Sequence, residues 1–310
     1  MTSPAPTVPD RRGVSVVGSA NLDLIFTADR IPLPGETVLA RSSTRFPGGK
    51  GLNQVIAAAR AGAQATFVAA LGTDEPGELL LRTITEAGID DRLVRRVAEP
   101  TGQAFIVVSP AGENSIVVAS GANATMHALR EAEAEAVRQS SVLLMQFELP
   151  LDVVTEAAMT ARASGTVVMV NAAPAHGLPD ALLESLDYLI VNEHEACELG
   201  GSTDLAVASR TLAALLPRLV VTVGAEGSVL YDAGSEVARV PALRVIPVDT
   251  TGAGDTFCGA FAAAIAEGRD FVAAAQFATA AAALSVQAEG AVPSIPRRPE
   301  IDDLLAEAAL

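Results

Sequence analysis

The chain has few cysteines, a shortage of positive charge and no membrane-length apolar run, and each shortage removes a class of function. Its two cysteines, Cys197 and Cys258, stand far apart and without metal-ligand spacing. They provide neither a disulfide framework nor a zinc site, so a reducing cytoplasm is the natural compartment. Lys and Arg number 21 against 37 Asp and Glu, a net charge of -16. That balance excludes general binding to nucleic acid or an anionic membrane, and an anionic substrate needs a local positive site. Residues 1–12 are rich in Pro, Ser and Thr and have no apolar stretch, the composition of a disordered tail and not of a signal peptide. The alanine-rich run from Phe271 to Val286 carries Gln276, Thr279 and Ser285, which suits a packed interior helix better than a lipid span. The three histidines, His127, His176 and His194, pair with no other ligand type at metal spacing. No internal repeat or long linker divides the chain.

What is present is a large core and a regular alternation. Half of the 310 residues are hydrophobic, 50% by count, enough for one sizeable α/β domain. Short β-branched runs at Val14–Gly18, Thr66–Leu71, Val142–Gln146, Val167–Val170, Tyr188–Val191 and Leu219–Val223 alternate with helical patterns near residues 54–61, 76–87, 151–163, 193–199 and 205–216. The alternation predicts a doubly wound, mostly parallel sheet with helices on both faces, spanning residues 13–310. Two stretches break the rhythm, residues 36–46 and 103–119, the second a hairpin around Ser109–Asn114. Together they predict a small β-sheet projecting from the main body as a lid.

Polar residues gather where strands end. Asn21 and Asp23 follow the first strand; Glu148 follows Val142–Gln146; Asn192 and Glu195 follow Tyr188–Val191; Gly224, Ala225, Glu226 and Gly227 follow Leu219–Val223. In open α/β sheets ligands bind outside the carboxyl ends of strands, so these groups are expected to share a crevice. Asn and Asp also favour turns, and Asn192 with Glu195 also reads as a helix cap with a first-turn acid. Oxygen groups of that kind, acting through water, suit Mg²⁺ carrying nucleotide phosphates. Pro47-Gly48-Gly49-Lys50-Gly51-Leu52-Asn53 opens a helix but is not a P-loop. Thr44 stands where the first glycine belongs, and Gly51 follows the lysine in place of Ser or Thr.

The sharpest stretch is Val248-Asp249-Thr250-Thr251-Gly252-Ala253-Gly254-Asp255-Thr256-Phe257. An extended segment from Leu243 to Val248 is expected to enter a glycine-interrupted turn and then a helix from about Thr256. Unpaired N–H groups and the helix dipole at such a turn favour an anion, and glycines let the backbone approach a phosphate. Asp255 repels phosphate, so its place beside an anion hole suggests a proton acceptor for an attacking hydroxyl. An aspartate there also serves as an ordinary complement to the helix N-terminus.

Taken in order, Gly18-Ser19-Ala20-Asn21-Leu22-Asp23, Gly48 to Asn53, Met145 to Glu148, Asn192 to Glu195 and Asp249 to Asp255 resemble the ribokinase family, also called the PfkB family of sugar kinases. The resemblance runs from Val14 to the C-terminus and looks closer to the ribokinases than to fructokinase or adenosine kinase relatives. It implies ATP-dependent phosphorylation of the ribose 5-hydroxyl. Other acceptors on the same fold, such as another pentose, deoxyribose or a nucleoside, are the alternative, and a non-catalytic sugar sensor is a second.

The resemblance also implies roles. Asn21, Asp23, Gly49, Lys50, Gly51, Asn53, Glu148 and Asp255 would hold the sugar, with Asp255 as base. The backbone of Gly252, Ala253, Gly254 and Asp255 would form the anion hole. Asn192, Thr222, Gly224, Ala225, Glu226, Gly227, Gly254 and Thr279 match ATP-contacting positions, Thr279 standing where ribokinases often place His. Glu195 is linked to Mg²⁺ through water. Asp249, Thr251, Ser285, Ala288, Gly290 and Ser294 match a K⁺ site, and the lid is implied to pair with a second subunit's lid in a homodimer.

Overall fold

The structure is a computed structural model that describes residues 13–110 and 114–308. The tail expected over residues 1–12 and the hairpin tip Ala111, Gly112 and Glu113 lie outside the described residues. The first half of the chain contains β1 (Gly13–Val17), β2 (Asn21–Ala28), β3 (Ala40–Gly48), α1 (Lys50–Arg60), β4 (Gln64–Gly72), α2 (Glu75–Glu86), β5 (Val94–Val97), β6 (Gly102–Val108), β7 (Asn114–Ala119), α3 (Glu131–Gln139) and β8 (Val142–Met145). It continues through α4 (Leu151–Ser164), β9 (Val167–Asn171), α5 (Asp180–Leu183), β10 (Tyr188–Asn192), α6 (Glu193–Gly200), α7 (Leu205–Ala213), β11 (Arg218–Thr222), β12 (Ser228–Asp232) and β13 (Ser235–Val240). Helices α8 (Ala253–Ala266), α9 (Phe271–Ser285), α10 (Ala291–Ser294) and α11 (Arg298–Ala308) end it.

The main sheet has the order β13-β12-β11-β10-β9-β8-β1-β4-β5, parallel from β11 to β5. Its central strands are apolar on both faces, as a doubly covered parallel sheet requires. Val14, Val16, Leu144, Ile190 and Val220 face one cluster with Leu52, Phe261 and Phe277 from α1, α8 and α9. Val17, Leu143, Met145, Val191 and Val221 face the other, with Val153, Val154 and Leu212 from α4 and α7. Each such side chain withdrawn from water contributes about 1.5–3 kcal/mol. The helices are delimited by ordinary chemistry: Asp74 caps α2 by accepting from the Gly77 N–H at 3.0 Å, with Pro76 in the first turn. Left-handed Gly165 ends α4.

The antiparallel edge strands β12 and β13 were not expected, because the parallel rhythm masks a hairpin that simply extends the sheet. The extended segment from Leu243 to Val248 is overturned as a strand: it joins no ladder. Pro241 and Pro247 remove N–H donors there. The segment instead lies over the surface, Ile246 being 86% and Val248 61% exposed, and is pinned by the N–H groups of Val248 and Asp249 donating to the Val286 carbonyl at 2.7 and 3.2 Å.

The second sheet has the order β3-β2-β6-β7. Asn21 and Asp23 belong to its strand β2 and not to a turn, pairing in parallel with β6 and antiparallel with β3. The pairing of β3 begins at Ala40 and runs to Gly48, so the strand delivers the glycines directly to α1. One face of this sheet carries the exposed side chains Phe105 and Val117, and Ile116 and Val118 add further exposed apolar surface.

Candidate active site

The crevice forms where β1 passes into β2 and where α1 and α8 begin. Strand β1 ends at Val17, and α1 then starts immediately against the β1–β2 junction. Glycines make that contact possible. A Cβ on Gly51 would lie 2.5 Å from backbone atoms of Gly18 and Ser19; one on Gly49, whose φ is +89°, would lie 2.7 Å from the Asn21 nitrogen. No other residue fits. Gly48 leaves room for a carboxylate: its Cβ would come within 2.0 Å of Asp23.

Around this junction the sugar-expected residues are brought together. Glu148, just past β8, accepts from the Ser19 hydroxyl at 2.5 Å, the Lys50 N–H at 3.2 Å and Asn21 Nδ2 at 3.4 Å. Asn21 Oδ1 in turn accepts from Asn123 Nδ2 at 2.8 Å. Asn123 also clamps both backbone groups of Ala20, donating to its carbonyl at 3.2 Å and accepting from its N–H at 3.1 Å.

Asp255 stands in the first turn of α8, 8% exposed. A buried carboxylate needs donors. Asn53 Nδ2 reaches Oδ2 and Gln54 Nε2 reaches Oδ1, both at 2.9 Å. Gly252 precedes the helix in the left-handed conformation with φ +76°. The Ala253 N–H donates to the Thr250 carbonyl at 3.2 Å, and that of Thr256 to the Gly252 carbonyl at 2.8 Å. The N–H groups of Gly254 and Asp255 find no acceptor among the described residues, which leaves two aligned donors at a helix N-terminus for an anion.

A pocket of about 140 Å³ opens at this point, lined by Lys50, Asn171, Asn192, Glu195, Thr222, Gly252, Gly254, Asp255 and Cys258 among others. A larger groove of about 820 Å³ runs along α4 between Arg138, Leu151, Met159 and Pro179 and shares no lining residue with the small pocket. The small pocket is the chemical one, since it holds the buried carboxylate Asp255, the Lys50 cation and the free N–H of Gly254 at the start of α8.

The pocket's charge is unbalanced. Asp23, Glu148, Glu195 and Asp255 surround Lys50, the only lysine in the chain. Burial pushes the Lys50 ammonium down, but Asp255, Glu148 and Glu195 outweigh it and hold the group above its usual value. Burial, reinforced by Glu148 and Asp255 and opposed by Lys50, pushes Asp23 up to about 7. Glu195 is raised by burial against the opposing Asn192 N–H bond and the Lys50 charge. Burial and then Asp255 raise the Cys258 thiol well above its ordinary value, so it sits beside the pocket as a neutral group.

Asn192 and Glu195 form a reciprocal cap at the start of α6. The Glu195 N–H donates to Asn192 Oδ1 and the Asn192 N–H to Glu195 Oε2, both at 2.8 Å. Thr222 lines the pocket with its hydroxyl on the Val191 carbonyl at 3.3 Å. Gly224, Ala225, Glu226 and Gly227 form the turn after β11 and do not line the small pocket. Nor does Thr279, buried in α9 with its hydroxyl donating to the Ala275 carbonyl at 2.8 Å.

Asp249 ties two turns together. It accepts from the Thr251 hydroxyl at 2.7 Å and N–H at 2.9 Å, and from the Gly290 N–H at 2.9 Å. Burial pushes its carboxyl up, but these three bonds prevail and hold it below the usual carboxylate range. Ser285 and Ser294 are buried with hydroxyls donating to the Ala282 and Ala291 carbonyls, both at 2.9 Å.

Sequence reasoning passed over Ser19, Gln54, Asn123 and Asn171. Asn171 had a signal, being an amide at the end of an otherwise apolar strand; Gln54 lay beside Asn53 at the glycine-dense helix start, and Asn123 lies in a short 3-10 turn, Gly121–Thr125, outside every motif.

Comparison with known proteins places these observations in a family. The sequence profile described as pfkB family carbohydrate kinase matches residues 11–298. The ribokinase of Bacillus subtilis strain 168 is 40% identical over 297 residues, covering 95% of this chain and 100% of that protein. The ribokinase of Haemophilus influenzae is 39% identical over 307 residues, covering 96% and 100%. Among solved structures, Arabidopsis thaliana ribokinase complexed with ribose and ATP superposes with a TM-score of 0.88 at 34% identity, covering 94% of this chain and 98% of that one.

Proposed function

Because the chain belongs to the pfkB family of carbohydrate kinases, we propose that it transfers the γ-phosphoryl group of ATP to the 5-hydroxyl of D-ribose. The observation that carries this reading is the pairing of Asp255, a carboxylate held by two amides, with the free N–H groups of Gly254 and Asp255 in the first turn of α8. One part accepts the proton of the attacking hydroxyl, while the other stabilises charge on the transferring group. Phosphoryl transfer needs positioning and electrostatics more than covalent chemistry, and Lys50 supplies the positive charge that the acidic pocket otherwise lacks.

Asn21, Asp23, Gly49, Lys50, Gly51, Asn53 and Glu148 hold the sugar in this reading. Their support is spatial: Glu148 bonds directly to the backbone N–H of Lys50 and the amide of Asn21, and Asn53 Oδ1 is buried without a partner among the described residues, an acceptor open to a hydroxyl. Asn192, Thr222 and the turn from Gly224 to Gly227 contact the nucleotide, with Thr279 nearer the base. The described residues hold no cluster of three or more His, Cys, Asp or Glu able to hold a metal ion. Glu195, a single carboxylate lining the small pocket, suits Mg²⁺, which keeps most of its waters and needs one or two carboxylates plus substrate phosphates, and would serve through water. Mg²⁺ supplies neutralisation of charge on the nucleotide's phosphates.

The turns joined by Asp249 fit K⁺: one carboxylate with Thr251 beside carbonyl-rich turns at Ser285, Ala288, Gly290 and Ser294. Asp249 and Thr251 would hold such a cation directly before the turn from Gly252 to Gly254. The four-stranded sheet closes over the sugar, limiting ATP hydrolysis by water. Its exposed residues Phe105, Ile116, Val117 and Val118 supply apolar surface for a homodimer. No described helix is long and apolar enough to cross a membrane, and the cytoplasm is the compartment proposed.

A coupled ADP-release assay across ribose, 2-deoxyribose, fructose and adenosine, with and without K⁺, tests the reading. Ribose is expected to give the highest kcat/KM, with K⁺ raising turnover. Preference for another acceptor replaces ribose; equal rates with and without K⁺ remove the cation.

A further inference from the structure

Gln54, in α1, is fully buried and bonds directly to Asp255. A buried amide can present either its N–H₂ or its carbonyl to a carboxylate, and only the first is favourable. Here the neighbours remove the choice. The Ile190 carbonyl in β10 can only accept, so Asn171 turns its Nδ2 toward it at 3.2 Å. That leaves Asn171 Oδ1 as the acceptor for Gln54 Nε2 at 3.1 Å. Gln54 Oε1 in turn accepts from Gln146 Nε2 at 2.6 Å. Both N–H bonds of Gln54 are thus directed, one to Asn171 and one to Asp255 Oδ1, and its carbonyl is turned away by Gln146.

The polarity of this chain starts at a backbone carbonyl that cannot flip, and it ends on the carboxylate. Asn53 reaches the other oxygen of Asp255, but its own oxygen is buried without a partner among the described residues, so nothing fixes it from behind. Gln54 makes no bond outside the buried network. We propose that Gln54 is a positioning residue for Asp255, fixing the rotation of the carboxylate through a buried relay from Ile190, Asn171 and Gln146. The proposal rests on Asp255 being the base of the phosphoryl transfer.

The test is Gln54→Met, which keeps length and removes the donor. Kinetics of ribose phosphorylation across pH 5.5–9 are measured beside wild type and Asp255→Asn. The groups facing Asp255 are Lys50 on α1, Glu195 on α6, Cys258 on α8 and Asp23 on β2, and the variant leaves them in place. Losing a donor favours the protonated carboxyl. The expected result is a kcat lowered roughly 10- to 100-fold, a ribose KM within about threefold, and an acid limb of kcat displaced upward by about one pH unit. A merely structural role lowers the amount of folded enzyme without moving that limb. Wild-type kcat and an unmoved limb overturn the proposal.

If Gln54→Met does not fold, the near-isosteric Gln54→Glu decides, because a second carboxylate against Asp255 also displaces the limb upward, and an unmoved limb again overturns it. Near-normal kcat in Asp255→Asn would instead defeat the base role, whatever Gln54 does. An inactive Asp255→Asn with an unaffected Gln54→Met defeats the positioning role alone.

Discussion

Sugar binding should release a proton below neutral pH, and Asp23 is the reason. In the empty protein its carboxyl titrates at about 7 where 3.8 is ordinary, because burial and then Glu148 and Asp255 oppose its charge more than Lys50 supports it. That displacement corresponds to on the order of 4 kcal/mol of differential interaction. The sign follows from linkage. The unfolded chain loses this proton near pH 4 and the folded protein only near 7, so stability falls as pH rises across that interval and is steady above it. A sugar hydroxyl donating to Asp23 needs the ionised form. At pH 6 about nine-tenths of Asp23 is protonated, and binding should release about 0.9 proton; at pH 8 about 0.1. Affinity for ribose should therefore weaken about tenfold for each pH unit below 7 and level off above. Calorimetry of ribose binding in two buffers of different ionisation enthalpy reads the proton count directly, and Asp23→Asn should abolish the release. A dissociation constant that varies less than about twofold between pH 5.5 and 8, with no proton released, refutes the assignment of Asp23 as a sugar acceptor titrating near neutrality.

Two further predictions concern the scaffold. Gly259 is where α8 touches α1, and a Cβ there would lie 2.3 Å from the Gln54 carbonyl oxygen and 2.5 Å from Ala57 Cβ. Gly259→Ala should cost about 1–3 kcal/mol, read by denaturant unfolding, and lower kcat because these two helices carry Asn53, Gln54 and Asp255; unchanged stability and rate would contradict the close packing. Arg95 and Glu133 form a buried ion pair, with Arg95 Nε on Glu133 Oε1 at 2.7 Å and a further bond to the Ala128 carbonyl at 2.6 Å. Glu133→Gln should destabilise by about 3–5 kcal/mol while removing both charges in Arg95→Met/Glu133→Leu should restore much of that loss, checked by comparing unfolding midpoints.

The main sheet was legible because its strands are short apolar runs at regular spacing, and β1, β8, β9, β10 and β11 carry them without interruption. The hairpin of β12 and β13 was hidden by the same regularity, and the Leu243–Val248 segment misled because β-branched residues there are exposed and flanked by prolines. In the site, residues that sit in compact motifs were readable: Asp255 by its glycine turn, Lys50 and Asn53 by the glycine-dense helix start. Groups acting through long-range contact were not. Asn123 meets Asn21 across 102 positions and Gln54 meets Asp255 across 201, so nothing local in either sequence neighbourhood records the partner. Strand β2 was missed for a similar reason, since Asn21 and Asp23 favour turns locally and are drawn into a ladder by β3 and β6.

The central claim is that Asp255 takes the proton of the attacking hydroxyl. Single-turnover transfer from ATP to ribose, measured in wild type and in Asp255→Asn with ribose affinity determined alongside, tests it most directly. The account predicts a transfer rate lowered by roughly two to four orders of magnitude with ribose binding nearly intact. A variant that transfers phosphate at a near-normal rate would contradict it.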